Sequence, residues 1–324
     1  MVMSEEDIIK ILTRIPKVGE STAQKLVSAG YDSYDAIANA TPEELSNAAK
    51  ISPKLAESII VAAMTLVGTG FITGKEYYQK RQNTLRITTG SKKVDMLIGG
   101  GIETGTITEI FGVFGSGKSQ MAHQLAVNVQ LPEEQGGLGA GAIYIDTEIT
   151  FRPERILQMA SALGLDTDSV LENILVARAD SVERQILLLK NVQDILTKKQ
   201  IGLLVIDSLM AHFRAEYPGR NVLAERQQRL KSYLHILSQL VEKHPLAILI
   251  TNQVMETPDV VFGDPVRPVG GHVLAHVPHT RIYLRKAKYP RRIARLVDSP
   301  YLPEGEVIFQ ITSEGIRDIA EDSE

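Results

Sequence analysis

Residues 112–119 read Gly112-Val113-Phe114-Gly115-Ser116-Gly117-Lys118-Ser119, and this octet leaves the chain around it few ways to fold. It has the spacing G-x-x-x-x-G-K-[ST] of a phosphate-binding loop. The apolar run Ile107-Thr108-Glu109-Ile110-Phe111 precedes it, and a helix-like stretch from Met121 to Gln130 follows. A strand, a tight loop and a helix are therefore expected in that order. Glycines in such a loop let backbone N–H groups close around phosphate oxygens, and the helix start adds positive potential. Lys118 supplies a mobile positive charge, and Ser119 a hydroxyl suited to Mg²⁺. The motif implies a nucleoside triphosphate as ligand.

The surroundings support an α/β domain built on that loop. Continuous apolar runs occur at residues 142–146, 174–177, 202–207 and 246–251, with longer helical stretches between them. Strands that are apolar throughout belong to a mostly parallel sheet covered on both faces. Three later runs, at 281–284, 293–297 and 307–311, are separated by turns and predict an antiparallel C-terminal extension. The first 60-odd residues differ. Thr41-Pro42-Glu43-Glu44 orders a cap, a proline and an acidic third position, Ser4 with Asp7 resembles a capping box, and Ser52-Pro53 repeats the cap-proline start. These signals predict a small all-helical domain over 1–67. Gly68, Gly70 and Gly74, with the polar stretch 79–83, predict a linker over 68–84, and the α/β core runs from 85 to 324.

With 324 residues, 44% of them apolar, the chain has material for one large domain and one small one. No apolar stretch approaches the roughly 18 residues of a membrane span. The acidic, polar start argues against a secretory signal. The absence of cysteine excludes disulfides, thiolate metal sites and cysteine catalysis, and fits a reducing cytoplasm. A net charge of −4 gives no overall nucleic-acid signature, so any DNA contact must come from local basic clusters.

Asp207 ends the run 202–207, where a carboxylate holds Mg²⁺ directly or through water; a helix cap after the strand is the plainer reading. Glu148 lies just past the run ending at Asp146 and is placed either to activate water or to stand as a solvated loop carboxylate. Asn252-Gln253 follows the last core strand, where an amide suits γ-phosphate sensing. After it comes a long Gly- and Pro-bearing segment, 254–274, that includes Gly270, Gly271 and His272 and is followed by His276. Near the N-terminus, Ile15-Pro16-Lys17-Val18-Gly19 forms a short hairpin before a helix, a geometry that suits either DNA phosphates or ordinary helix packing. Arg214, Arg220, Arg226 and Arg229 cluster beyond Asp207; phosphate contact and a salt-bridged face with Glu216 and Glu225 both fit their spacing.

Taken together, these segments resemble the archaeal RadA recombinases of the RecA-like strand-exchange family, which also includes the eukaryotic recombinases. Carrying the resemblance are residues 26–30, 88–91, 99–105, 114–119, Phe151-Arg152-Pro153-Glu154-Arg155-Ile156, 223–228, 270–276 and 296–300. It covers nearly the whole chain. It implies a RecA-like P-loop ATPase core with a helix-hairpin-helix DNA-binding domain in front of it. It also implies a DNA-dependent ATPase that forms filaments on single-stranded DNA, pairs it with double-stranded DNA and exchanges strands. The alternative is a non-exchanging paralogue, a DNA-binding accessory factor that uses ATP structurally.

By the same resemblance Glu148 activates water, Gln253 senses the γ-phosphate, and Arg155 stacks on adenine. Arg214, Arg220 and Arg226 fall in a first DNA loop, and 254–274 with Gly270 and Gly271 in a second. His276 lies near the γ-phosphate, and Asp298 with Pro300 covers a neighbour's ATP, where K⁺ binds. Phe71, in Gly70-Phe71-Ile72-Thr73-Gly74, plugs into the next protomer, giving helical filaments or rings. Mediator proteins and a cytoplasmic, nucleoid-associated location follow too. The chain departs from the family pattern at Lys17, where glycine is usual, at Ile149, also usually glycine, at Gly74, usually alanine, and at Ser119, often threonine. A β-branched residue does not reach positive φ cheaply, so Ile149 is expected to alter how Glu148 is held.

Overall fold

The helical start signals of the N-terminal stretch are all local. A computed structural model of the chain describes residues 5–67, 71–219, 221–256 and 266–319. Ser4, Gly68, Gly70, Arg220 and residues 257–265 of the 254–274 segment lie outside the described residues, so the expected Ser4 cap stays an expectation. The chain divides into two compact units, Met1–Asn83 and Thr84–Glu324.

In the first unit, helices α1 (Glu5–Leu12), α2 (Glu20–Ser28), α3 (Tyr34–Ala38), α4 (Pro42–Ala49) and α5 (Pro53–Val67) surround a core that includes Leu12, Ile15, Leu26, Ile37, Leu45 and Ile59. At α4 the Thr41 hydroxyl accepts from Glu44 N–H while the Glu44 carboxylate accepts from Thr41 N–H, a complete capping box with Pro42 in the first turn. The Ser52 hydroxyl accepts from Leu55 N–H at the start of α5. The stretch expected as a plain linker carries a helix of its own, α6 (Gly74–Gln82). A second capping box starts it: Thr73 and Glu76 satisfy each other's backbone N–H groups. No residue of α6 is buried.

The second unit opens with β1 (Arg86–Ile87), α7 (Lys92–Leu97) and β2 (Ile102–Glu103), then β3 (Thr106–Gly112), α8 (Lys118–Asn128), β4 (Gly141–Asp146), α9 (Pro153–Ala162) and α10 (Thr167–Glu172). It continues through β5 (Ile174–Arg178), α11 (Val182–Leu196), β6 (Ile201–Asp207), α12 (Ala211–Glu216), α13 (Leu223–Lys243) and β7 (Ala247–Asn252). It ends with β8 (Val254–Glu256), β9 (Val266–Pro268), α14 (Gly271–Ala275), β10 (Thr280–Lys286), β11 (Arg291–Asp298), β12 (Gly305–Thr312) and β13 (Gly315–Arg317).

Nine of these strands form one sheet in the order β13-β12-β11-β10-β3-β7-β6-β4-β5. From β10 to β5 every pairing is parallel, and from β10 to β13 every pairing is antiparallel. The first run of the expected extension, β10, is thus the joint: parallel to β3 on one side and antiparallel to β11 on the other. Side chains alternate across the parallel strands. Leu203, Val205 and Leu249 pack with Met121 and Leu125 of α8 on one face. Leu204, Ile206 and Ile250 pack with Leu189 and Leu237 of α11 and α13 on the other. Each fully buried aliphatic side chain contributes about 1.5–3 kcal/mol, which explains why these strands read as unbroken apolar runs. One consequence matters for the site: the carboxyl ends of β3, β4, β6, β7 and β10 lie along a single edge of the sheet. No helix among the described residues is long and apolar enough to cross a membrane.

Candidate functional site

The turn from β3 into α8 is built where side chains do not fit. A Cβ on Gly112 would stand 2.3 Å from the Leu284 carbonyl oxygen, and one on Gly117 2.8 Å from Ile311 Cδ1. Gly115 and Gly117 take φ of 74° and 111°, the left-handed region that glycine enters freely. The result is a backbone cradle at the first turn of α8, with the fit a polyphosphate needs. Ser116 is fully buried in this turn. Phe114 projects outward, 93% exposed. Lys118 Nζ donates to the carbonyls of Gly112 (2.9 Å) and Val113 (3.1 Å), folding its ammonium over the loop. Burial lowers the Lys118 pKa, while Asp207 and Glu148 act against that shift. Lys286, at the end of β10, brings a second ammonium within 3.0 Å of the Cβ position at Gly115, a cation that sequence spacing alone did not point to.

Asp207 is buried and accepts hydrogen bonds from three hydroxyls: Tyr144 (2.7 Å), Thr150 (3.1 Å) and Thr251. These three donors hold an oriented carboxylate next to the phosphate cradle. With the Ser119 hydroxyl at the start of α8, this donor set of hard oxygens suits Mg²⁺. Beside it, Asp146 ties the following loop into a knot. Its Oδ1 accepts from the N–H groups of Glu148 and Thr150, and its Oδ2 from that of Phe151. This turn carries Glu148, whose carboxyl pKa is raised by burial first and by the nearby Asp207 second. Gln253 Nε2 donates to Glu148 Oε1 at 2.7 Å. Its neighbour Asn252 points the other way, as strand alternation requires, and is fully buried against Glu109. Of the two amides at the end of β7, only Gln253 bonds to Glu148.

Ile149 takes φ 57°. The turn thus keeps its left-handed residue although a β-branched side chain occupies it, and the cost falls on the stability of the turn. His123, in α8, links this turn to the phosphate loop. Its Nε2 accepts from Arg152 N–H at 3.1 Å, which fixes the proton on Nδ1, 2.5 Å from the Ser119 carbonyl. Burial lowers its pKa and favours that neutral form. The Arg155 guanidinium is held flat by Gln120 (2.7 Å), Gln158 (2.8 Å) and the carbonyls of Thr312 and Ser313 (both 2.6 Å).

Other expected residues of this unit are carried by α12, α13 and α14 and their ends. Gly270 and Gly271 adopt φ of 117° and 62° at the start of α14. His276 follows α14, its ring stacked on that of His272 with centroids 6.3 Å apart, and lines a cavity with His235 and Lys231. Arg214 is exposed on α12. Arg226 donates to the Tyr217 carbonyl at 3.3 Å, and Arg229 pairs with Glu183 and Glu225. Part of the arginine cluster is therefore a salt-bridged face. Arg220 is outside the described residues.

In the first unit, Gly19 caps α2 with open space around its Cβ position. Lys17 takes φ 70° and donates to Ser58 Oγ at 3.0 Å. Phe71 is 90% exposed, and Gly74 stands in the first turn of α6 with no atom within 4 Å of its Cβ position. Asp298 ends β11 opposite Arg281, level with Glu109 and about 10 Å short of Gly112 along the strands. The chain runs from there away from the phosphate loop, so Asp298 and Pro300, both exposed, do not cover the cradle of their own chain.

A family profile described as Rad51 matches residues 80–319, and one described as a SAM-like helix-hairpin-helix tandem matches residues 9–65. The chain belongs to the Rad51 family. It is also 52% identical, over 322 residues and 98% of both chains, to a protein named DNA repair and recombination protein RadA from Ignicoccus hospitalis (strain KIN4/I / DSM 18386 / JCM 14125). The Rad51 match takes in the whole cluster from Gly112 to Pro300, whereas Lys17 and Gly19 fall in the helix-hairpin-helix match. Phe71 and Gly74 lie between the two matched stretches.

Proposed function

We propose that this Rad51-family chain is a DNA repair and recombination protein: an ATP-dependent recombinase that assembles on single-stranded DNA and exchanges strands with a homologous duplex. The observation that carries the ATP-hydrolysing part is the contact of Gln253 with Glu148 beside Lys118 and Asp207, on the edge where the phosphate loop opens. The loop amides and Lys118 bind the β- and γ-phosphates. Ser119 and Asp207 are the residues that would hold Mg²⁺, which when bound neutralises developing phosphate charge. Glu148 orients water and accepts its proton, aided by a carboxyl kept more basic than usual. Gln253, bonded to Glu148 at 2.7 Å, is placed to exchange that bond for one to the γ-phosphate. Arg155, fixed as a plane, stacks on the base.

DNA is held, on this reading, by Lys17 and Gly19 at the hairpin, by Arg214, Arg220 and Arg226, and by Gly270 and Gly271. Asp298 and Pro300 complete the pocket of a neighbouring copy, which agrees with their running away from the phosphate loop of their own chain.

A D-loop assay with single-stranded DNA and ATP tests the proposal. The unmodified chain should form joint molecules, and Lys118→Ala should lose them by about 10²-fold or more. Joint molecules undiminished in Lys118→Ala would sink it. ATP-dependent DNA binding by the unmodified chain with no joint molecules would instead favour the accessory factor.

A further inference from the structure

Glu109 is a fully buried carboxylate three residues before the phosphate loop, and the site described so far makes no use of it. Its Oε2 accepts from Arg281 Nε at 2.7 Å, and its Oε1 from Asn252 Nδ2 at 2.8 Å. Arg281 is itself mostly buried and lies over the Phe111 ring, 5.5 Å from its centroid. Burial raises the Glu109 pKa, with Arg281 opposing that shift.

The Asn252 amide has a second partner. The same Nδ2 donates to the Val269 carbonyl at 2.6 Å. Both neighbours are acceptors, which fixes the amide orientation and leaves Asn252 Oδ1 buried without a partner. Val269 is pinned again by its own N–H, which donates to the Gln253 carbonyl at 3.0 Å. It closes the stalk formed by β8 and β9, whose register pairs Val254 with Pro268 and Met255 with Arg267. A continuous path therefore leads from β3, which carries the phosphate loop, through Glu109 and Asn252 to Val269 and the base of that stalk. From Val269 it returns to Gln253 and Glu148.

A buried charge and an amide with one atom left unpaired are costly to place in a core. An aliphatic pair would fill the same space but would not fix Val269 in register. We infer that Glu109, Asn252 and Arg281 are positioning residues that lock the base of the β8–β9 stalk to the phosphate-loop strand, so that DNA engaged at the stalk sets the placement of Gln253. Asn252 acts through Val269 and Gln253 and touches neither nucleotide nor DNA. The inference rests on the functional reading above, since it assumes that the stalk engages DNA and that Gln253 serves hydrolysis.

The test uses the full chain with Asn252→Ala. Binding of a fluorescent ATP analogue and DNA-free turnover should stay within about threefold of the unmodified chain, while stimulation of turnover by a poly(dT) oligonucleotide should fall roughly tenfold. Hydrogen exchange at the Val269 amide should accelerate. A second variant, Arg281→Met, guards against misfolding of the first; with its melting temperature recorded, it should show the same split between basal and stimulated rates. Stimulation equal to that of the unmodified chain overturns the inference. So does loss of nucleotide binding in step with stimulation, which would mark a general collapse around β3. If the unmodified chain shows no stimulation by DNA, the functional reading fails. Exchange at Val269 then decides separately whether Asn252 holds the stalk.

Discussion

Ile149 sits where the backbone calls for a left-handed residue, as do Lys17 and Lys50; these are the non-glycine residues with positive φ among those described. Ile149 and Lys17 are also the two positions where the resemblance drawn from the sequence leads us to expect glycine. A left-handed conformation costs an L-residue about 1–2 kcal/mol, and glycine gives back about 0.5–1 kcal/mol of that as chain entropy. Ile149→Gly should therefore stabilise the second unit by up to about 1 kcal/mol, a rise in melting temperature of about 2–4 °C. An unchanged or lower melting temperature would show that the exposed isoleucine side chain compensates for the strain. Glu148 supports a prediction of a different kind. Burial and Asp207 both raise its pKa, so its base form is complete only at higher pH than for an ordinary glutamate. The value of kcat/KM for ATP should fall as pH drops through that raised value, beginning above the usual range near about 4.3. A pH profile with its acid limb at or below the ordinary value contradicts the assignment of Glu148 as base.

Elements differed in how legible they were. The parallel strands could be read directly, because a strand buried on both faces needs no alternation and shows as an unbroken apolar run. The phosphate loop was legible because its glycines are demanded by contacts with Leu284 and Ile311 that hardly any other residue tolerates. Helix α6 was missed because glycine density outweighed the Thr73–Glu76 box that starts it. The joint role of β10 depends on partners far away in the chain, which no local pattern encodes. The same holds for the hydroxyls of Tyr144, Thr150 and Thr251 around Asp207, brought together only by the register of β4, β6 and β7. Asn252 and Gln253 are adjacent and chemically alike, and only the strand's alternation separates the buried amide from the one facing Glu148.

At the scale of the whole molecule, Phe71 is an aromatic residue that its own chain leaves almost uncovered. A phenylalanine left 90% exposed next to Ile72, itself exposed, has about 2–3 kcal/mol of burial still to gain. Phe71→Ala should shift light-scattering profiles toward monomer, whereas an unchanged size distribution would exclude Phe71 from assembly. The position of Asp298 carries a further consequence. If a pocket is finished by a neighbour's Asp298 presented on a face separate from the one on which that neighbour's own pocket opens, the contact is heterologous, not isologous. Assembly is then head-to-tail, and an open string of n copies holds n − 1 finished pockets. Turnover per chain should climb with string length and level off, and a ring would reach the plateau at once because it has no end subunit to leave idle.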